Sequence, residues 1–341
     1  MPFQVLRSFY KSSIFLFFLV FYMDVFAQSR QRSQNTFLNI SLNNLPERDL
    51  SKDTGVFGYS NVGIGLNQRL WKKRTSTNRI FSLSTNASYE FRKLKLAEFV
   101  NKIEVHRATL GLRGIYFNGS KNLWLATLNA HYFGDQYLFS ADNFLYSGGL
   151  IFYRRVNPGF QYQIGLIYSF VFGNGLPLPT LGFTWRSKDE VGKRSFSVRL
   201  PFNLTFRKVI SSKSSYSIFL RQNGGNQFIQ TDRYGRVFAD AGFPDPIQRL
   251  RFTQTQLGAR LLLMPFKNSG VRLEGLFGLA LRRSYKYSNS TISENNLVKN
   301  GPFFELKAFI LISSQSKDET KELTEEDVIE YLDRDSDRLD F

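Results

Sequence analysis

The sequence predicts an all-β protein, a transmembrane antiparallel up-and-down β-barrel of about 12 strands. Three observations lead to this fold. Apolar and polar residues alternate strictly in stretches of about ten residues, the length that a tilted strand needs to cross a bilayer. The 341-residue chain contains 35 Phe, 16 Tyr and 25 Gly, and beyond its first 27 positions it shows no long helical pattern. An export signal precedes the alternating stretches.

The clearest alternation is the hairpin over residues 257–282, whose two arms meet across the turn 267–270. On its second arm one face carries Val271, Leu273, Gly275, Phe277, Leu279 and Leu281, and the other carries Arg272, Glu274, Gly278, Ala280 and Arg282. An apolar face backed by arginines is typical of a strand between lipid and water. A soluble sandwich also alternates, but its apolar face points inward and its arms are usually shorter.

Residues 1–27 predict a cleaved signal peptide. Arg7 and Lys11 precede an apolar run at 14–21, and the cleavage site falls after Ala27. The run is shorter than the ~20 residues of a membrane anchor. The absence of cysteine excludes lipoprotein attachment, disulfides and thiolate metal sites. The expected organisation is a signal peptide at 1–27, an outer-membrane β-barrel at 28–314 and an acidic periplasmic tail at 315–341, in a Gram-negative outer membrane.

Charge is unevenly distributed along the chain. The net charge is +17; the signal region contributes +1 and residues 315–341 contribute −7, which leaves +23 for 28–314. A cationic body suits lipid phosphates and a lumen that prefers anions. Nucleic acid is not an expected partner, because an exported protein seldom meets it. In the tail, the capping-box start at 324–327 predicts a short helix.

Thirteen segments read as strands, at 36–43, 55–70, 79–92, 104–117, 121–134, 144–155, 159–172, 179–186, 194–207, 214–223, 250–265, 270–285 and 302–313. Bacterial single-chain barrels have an even number of strands, with short periplasmic turns and longer outside loops. Assigning 179–186 to an outside loop restores that alternation and gives twelve strands. The alternative is fourteen, with 179–186 counted and one hidden strand added.

The alternation also predicts which side chains face the lumen. The candidate lumen or pore-lining residues are Arg113, Arg199, Arg207, Arg260, Arg272, Arg282, Glu274 and Glu305. One interpretation is a set of ion pairs that fills a narrow barrel; the other is an anion-preferring constriction. Arg272 is predicted to pair with Glu274, two positions along the same face, or with Glu305 on the following strand.

Enzymatic chemistry finds little support. The only histidines are His106 and His131. His131 is expected to face the lumen with Asn129, whereas outer-membrane phospholipases need their catalytic groups on the lipid-facing wall. No G-x-S-x-G motif occurs. We therefore expect no catalytic residues, no metal site and no cofactor.

The favoured function is a monomeric barrel that passively admits small polar or anionic solutes. The alternative is a plugged structural or adhesive barrel, for which the long loop 224–249 would provide the contact surface, and a barrel hydrolase is a minor alternative. The expected partners are outer-membrane lipid and the barrel-assembly machinery.

Several short motifs carry a family resemblance. They are Leu-Pro-x-Pro-x-Leu-Gly at 176–182, Leu-Pro at 200–201 and Glu-Gly-Leu-Phe-Gly at 274–278, which leads to Arg282 and Arg283. With its signal peptide and cysteine-free aromatic strands, the chain resembles the uncharacterised outer-membrane β-barrel proteins of Bacteroidota over residues 36–314. The resemblance implies location and fold, and nothing about substrate.

Overall fold

A computed structural model describes residues 36–312, except for gaps at 52–54, 76–78, 97–98, 100, 119–120, 136–142, 170–174, 188–193, 201–202, 212, 231–233, 235–246, 266–269 and 288–295. The predicted signal peptide, the acidic tail and most of the predicted 224–249 loop therefore lie outside the described residues. The strands are β1 (Thr36–Asp49), β2 (Val56–Arg74), β3 (Ile80–Lys95), β4 (Ile103–Phe117), β5 (Asn122–Asp135), β6 (Phe144–Asn157), β7 (Phe160–Ser169), β8 (Leu176–Arg186), β9 (Arg194–Leu200), β10 (Asn203–Ser211), β11 (Ser214–Gln230), β12 (Ile247–Leu263), β13 (Val271–Tyr287), β14 (Asn296–Val298) and β15 (Gly301–Ile312).

The strands form one closed antiparallel barrel. Neighbours in sequence pair around the wall from β1 to β13, and β15 then pairs with both β13 and β1, which closes the ring. The three-residue β14 pairs only with the last part of β13. Fourteen strands therefore make up the wall. We call the end that holds Thr36 and Ile312 the terminal end, and the opposite end the distal end.

The period-2 alternation sorts side chains between the two faces of the wall, since successive residues of a strand point to opposite sides. Leu128, Tyr146 and Phe277 point outward and are 61%, 59% and 57% exposed. Aromatic pairs flank this apolar exterior at both ends of β5: Trp124 lies 4.7 Å from Phe152, and Tyr132 lies 5.5 Å from Phe144, between ring centroids. An apolar band between aromatic girdles is typical of barrels that cross a bilayer. In the part of the chain that the structure describes, no helix is long and apolar enough to span a membrane.

The all-β barrel is confirmed, with the alternative count of fourteen strands; the count of twelve is wrong in two places. Residues 176–186 are a wall strand, paired with β7 on one side and β9 on the other, rather than part of a loop. Residues 194–207 are a hairpin rather than one strand, because Val198 pairs with Leu204 and Phe196 with Phe206. This hairpin supplies the hidden strand.

The wall is uneven in height at its distal end. β11 and β12 pair over 17 residues each, from Ser214 to Gln230 and from Ile247 to Leu263. The neighbouring β9 and β10 have only seven and nine residues. The distal part of β11 also leans across the barrel, where the backbone N–H of Gln230 donates a 2.6 Å hydrogen bond to Asp135 at the end of β5. The distal part of β11 therefore contacts β5 at the distal end of the polar lumen.

Candidate functional site

A polar cavity of about 630 Å³ occupies the interior of the barrel. Its lining begins near Phe117 and Arg155 toward the terminal end and reaches Tyr59 and Phe252 toward the distal end. Most of its lining comes from the inward-facing residues of the strands, as the alternation predicts. The cavity is therefore the lumen that the sequence implies.

The lining of this cavity is strongly basic. Among the described residues that line it are eleven basic and three acidic side chains, an excess of eight positive charges. The basic side chains are Arg92, Arg107, Arg113, Lys121, Arg155, Arg186, Arg199, Arg207, Arg221, Arg260 and Lys307, and the acidic ones are Glu90, Glu274 and Glu305. Charges on a low-dielectric wall focus the field inside it, so the excess of basic side chains makes the potential in the lumen positive.

Each of the three glutamates is held between two cations. Glu274 contacts Arg260 and Arg272, both at 3.2 Å. Because one glutamate balances only one of its two cations, these clusters keep a net positive charge.

The other two glutamates repeat this arrangement. Glu305 contacts Arg221 at 2.8 Å and Lys307 at 2.9 Å. Glu90 contacts Arg92 at 2.6 Å and Arg107 at 3.9 Å. Ion pairing and a cationic lumen are therefore both features of this interior.

The structure brings most of the candidate lumen residues together. The cavity lining includes Arg113, Arg199, Arg207, Arg260, Glu274 and Glu305. Arg272 is buried, donates to Glu274 at 3.2 Å and lies over the Phe309 ring at 5.0 Å. Its partner is thus the first of the two predicted carboxylates.

Arg282 is the exception, because it is exposed and does not line the cavity. The register between β12 and β13 shifts near this point, and Arg282 has a positive φ of 48°. The irregularity turns Arg283 inward instead, where its guanidinium lies 5.5 Å from the Phe57 ring centroid and donates to the carbonyl of Lys299 at 3.3 Å. Two adjacent arginines, Arg282 and Arg283, are the only feature of the sequence that indicates this change, in which Arg283 faces inward in place of Arg282.

A polar network surrounds His131, which faces the lumen as expected. Its Nδ1 lies 3.0 Å from the Thr109 hydroxyl, and its Nε2 lies 2.8 Å from the Ser147 hydroxyl. Asn129 donates to the same Ser147 oxygen at 3.3 Å. The group points into the cavity and away from the lipid-facing wall. Among the described residues, no group of three or more His, Asp or Glu could hold a metal ion.

An apolar cluster, here called the cap, packs inside the distal end of the barrel. It consists of Leu45, Phe57, Tyr59, Leu94, Ile103, Val105, Ile229, Leu250, Phe252, Tyr285 and Val298, all buried. Phe57 stacks on Tyr285 with 5.1 Å between ring centroids, and Phe252 lies 5.5 Å from Tyr59. The alternation of the sequence does not predict the cap. The cap residues come from the distal parts of strands that meet only because β11 leans across the barrel.

Comparison with solved structures found several similar proteins. The chain is similar to an outer membrane channel from Pseudomonas putida F1, with 9% identity, a TM-score of 0.43, and coverage of 82% of this chain and 95% of that chain. It is also similar to OccK7 of Pseudomonas aeruginosa, with 9% identity, a TM-score of 0.33, and coverage of 83% and 100%. A third similar structure is the translocator domain of the autotransporter NalP from Neisseria meningitidis. Its identity is 10% and its TM-score is 0.33, and the match covers 88% of this chain and 96% of that chain.

Comparison with curated proteins found no match. A family model matches residues 25–313, which include every strand of the barrel. The chain belongs to the family described as a domain of unknown function, DUF6268.

Proposed function

We propose that this protein is an outer-membrane β-barrel that passively admits small polar, anionic solutes into its lumen. The observation that carries the proposal is the excess of eight positive charges among the described residues of the cavity lining. The apolar exterior between aromatic pairs supports a position within a bilayer. The predicted signal peptide at 1–27 supports export, and the short turns at the terminal end support a position of that end in the periplasm.

The proposed barrel acts as a monomer and has no catalytic role. Its exterior contacts membrane lipid, and insertion requires the barrel-assembly machinery. The His131 network supports this view, because it points inward and its hydrogen bonds join the imidazole to the hydroxyl groups of Thr109 and Ser147. The solute enters a lumen whose cations are partly balanced by Glu90, Glu274 and Glu305.

The test is the reversal potential of single channels in a planar bilayer under a KCl gradient. The expected result is a preference for chloride over potassium. Replacing Arg113, Arg199 and Arg207 by glutamine together should lower that preference several-fold, because three cavity charges are lost. The matched control is Arg154→Gln, an exposed arginine next to the cavity-lining Arg155. A potassium preference in the unchanged protein would contradict the proposal.

The cap favours a second candidate, a structural or adhesive barrel that is plugged at one end. The observation that favours it is the group of buried aromatic side chains at the distal end, where Phe57 stacks on Tyr285. This candidate predicts no conductance in the planar bilayer, together with a surface phenotype when the 224–249 loop is deleted. Channel activity of the unchanged protein would exclude it.

A further inference from the structure

The wall of the barrel has a low section at the β9–β10 hairpin. The two strands pair as far as Arg199 and Asn203, where the hairpin ends. On one side β8 continues for five more residues, Leu176–Thr180, paired with β7 only. On the other side β11 continues past Arg221 to Gln230, paired with β12 only. Among the described residues, no strand pairs with either of these two edges. We call the space between them the window.

The window is large enough for a small molecule. Three inter-strand spacings separate β8 from β11, which corresponds to roughly 14 Å. The five unpaired residues of β8 cover roughly 16 Å along the strand, or about 12 Å in height at the usual tilt. The leaning of β11 toward β5 takes its distal part away from this section of the wall.

The window lies within the apolar band of the exterior. Leu181 and Leu200, paired across the floor of the window, are both exposed on the outer surface. Tyr168, which pairs with Pro177 in the part of β8 that β9 does not reach, is also exposed and extends the apolar band toward the distal end. The window therefore faces lipid rather than bulk solvent along at least its lower edge.

The composition of the two edges fits a wet opening. A bare strand edge is not tolerated against hydrocarbon, because its N–H and C=O groups would lack partners. On the β8 edge, Pro177 and Pro179 have no N–H to satisfy. The β11 edge carries Gln222, Asn223, Gly224 and Gly225, which are polar or lack a side chain and are only half-buried. Polar head groups or water can satisfy such an edge, whereas acyl chains cannot.

Basic side chains of the lumen stand directly behind the window. Arg199, at the top of the hairpin, lines the cavity, and so do Arg221 and Asn223 on the β11 side. The cap packs beside the axial route at the distal end. The window is thus a sideways connection between the basic cavity and the apolar band.

We propose that the window admits an amphiphile with an anionic head group from the distal leaflet of the membrane. Its head group enters beside Arg199 and Asn223, and its acyl chain stays between β8 and β11 in contact with lipid. This inference rests on the proposed function in one respect, namely that the lumen attracts anions. It differs in naming the route and the class of ligand.

Two single-cysteine variants test whether the window is open to membrane lipid, and the chain has no native cysteine that would compete for the label. Thr180 lies at the window and Thr85 lies behind continuous wall; both are buried, and each hydroxyl donates to a cross-strand carbonyl at 2.9 Å. Each variant is labelled with bimane and placed in phosphatidylcholine vesicles whose acyl chains are brominated. Quenching of the Thr180→Cys label should exceed that of the Thr85→Cys label at least about threefold.

Equal, weak quenching at both positions would overturn the window. If Thr180→Cys fails to fold, Asn223→Cys on the opposite edge serves as the second variant, with the same expectation.

The head group is tested in vesicles of ordinary phosphatidylcholine, to which brominated stearate or its neutral methyl ester is added. Stearate should quench the Thr180→Cys label at a concentration about fivefold lower than the ester. Adding Arg199→Gln should remove that difference, whereas Arg154→Gln, an exposed arginine outside the cavity lining, should preserve it. Equal quenching by acid and ester would overturn the anionic head group. Loss of the stearate effect in millimolar inorganic phosphate would assign the site to free anions instead.

The two proposals fail separately. Chloride-selective channels without quenching at the window would overturn the sideways route and leave the pore. Quenching at the window without chloride selectivity would overturn the pore and leave the route.

Discussion

Glu274 shows what holds the basic interior together at the level of single residues. The carboxylate is 2% exposed, and it lies between the guanidinium groups of Arg260 and Arg272. Buried charges are stable only when each has a partner with good geometry. Arg272 gains further contact from the Phe309 ring, 5.0 Å away. The glutamate is therefore the shared counter-charge of two buried cations.

Replacing this carboxylate should destabilise the folded barrel. Glu274→Gln leaves two buried guanidinium groups without their common counter-charge, and we expect the free energy of unfolding to fall by about 3 kcal/mol. Urea unfolding in lipid vesicles measures the change. Glu104→Gln is the matched control, because Glu104 pairs with Lys93 in an exposed ion pair, and its loss should cost at most about 1 kcal/mol. Similar effects of both variants would contradict the assigned role of Glu274.

The alternation was enough to place Arg113, Arg199 and Arg207 on the inner face, because any strand with a steady period of two sorts its side chains in this way. It was not enough for Arg282. A bulge adds a residue to one strand and reverses the phase beyond it, and nothing in the apolar pattern marks its position. The structure accordingly buries Arg283 and exposes Arg282.

At the level of elements, β12 and β13 depend on a close approach between their backbones. Gly258 pairs directly with Gly278. A Cβ atom on Gly278 would overlap the carbonyl oxygen of Leu257 and approach the Cα of Gly258 to 2.5 Å. The two glycines therefore allow β12 and β13 to pack closely, without a side chain between their backbones.

A methyl group at this contact should strain the hairpin. Gly278→Ala is expected to lower the free energy of unfolding by roughly 1–3 kcal/mol, because backbone atoms must move to make room. Gly114→Ala on β4 is the control, since nothing lies within 4 Å of a Cβ at that position. Unfolding of both variants in urea, followed by intrinsic tryptophan fluorescence, provides the comparison. A Gly278→Ala variant as stable as the control would show that the backbones of β12 and β13 are not in tight contact at this position.

The hairpin at 194–211 explains why the strand count needed the structure. Val198 and Leu204 are paired and lie an even number of positions apart, so both keep the same parity and the same outward face. The alternation therefore runs through the turn without a break. Only Pro201 interrupted the sequence, and a proline is equally compatible with a bulge or with a turn. Most other strand positions agreed within a few residues, because polar loops separate them.

At the level of the whole molecule, the barrel divides into two layers. The terminal layer encloses the basic cavity, and the distal layer is an apolar core formed where β11 and β12 meet β1 to β5. The sequence could predict the first layer from alternation alone. The second depends on contacts between residues far apart in the chain, such as Phe57 with Tyr285, which no local pattern specifies.

Removing one aromatic side chain of the cap should loosen the distal closure. Phe252→Ala deletes a ring that lies 5.5 Å from Tyr59 and 5.8 Å from the Arg92 guanidinium, and we expect larger or more frequent single-channel currents in a planar bilayer. Phe277→Ala removes a lipid-facing ring of the same size and should leave the currents unchanged. Currents that do not respond to Phe252→Ala would show that the cap does not control the path.

The central claim is that the alternating strands close into a barrel within the outer membrane. The most direct measurement is a gel of purified, carbonate-washed outer membranes, with one sample left unheated and the other boiled in detergent. A closed barrel keeps its strand pairing in cold detergent, so the unheated protein should migrate at a different position from the boiled protein, whose mobility should match about 39.5 kDa or the slightly smaller processed chain. Recovery of the protein in the carbonate wash, with one mobility before and after boiling, would contradict the barrel.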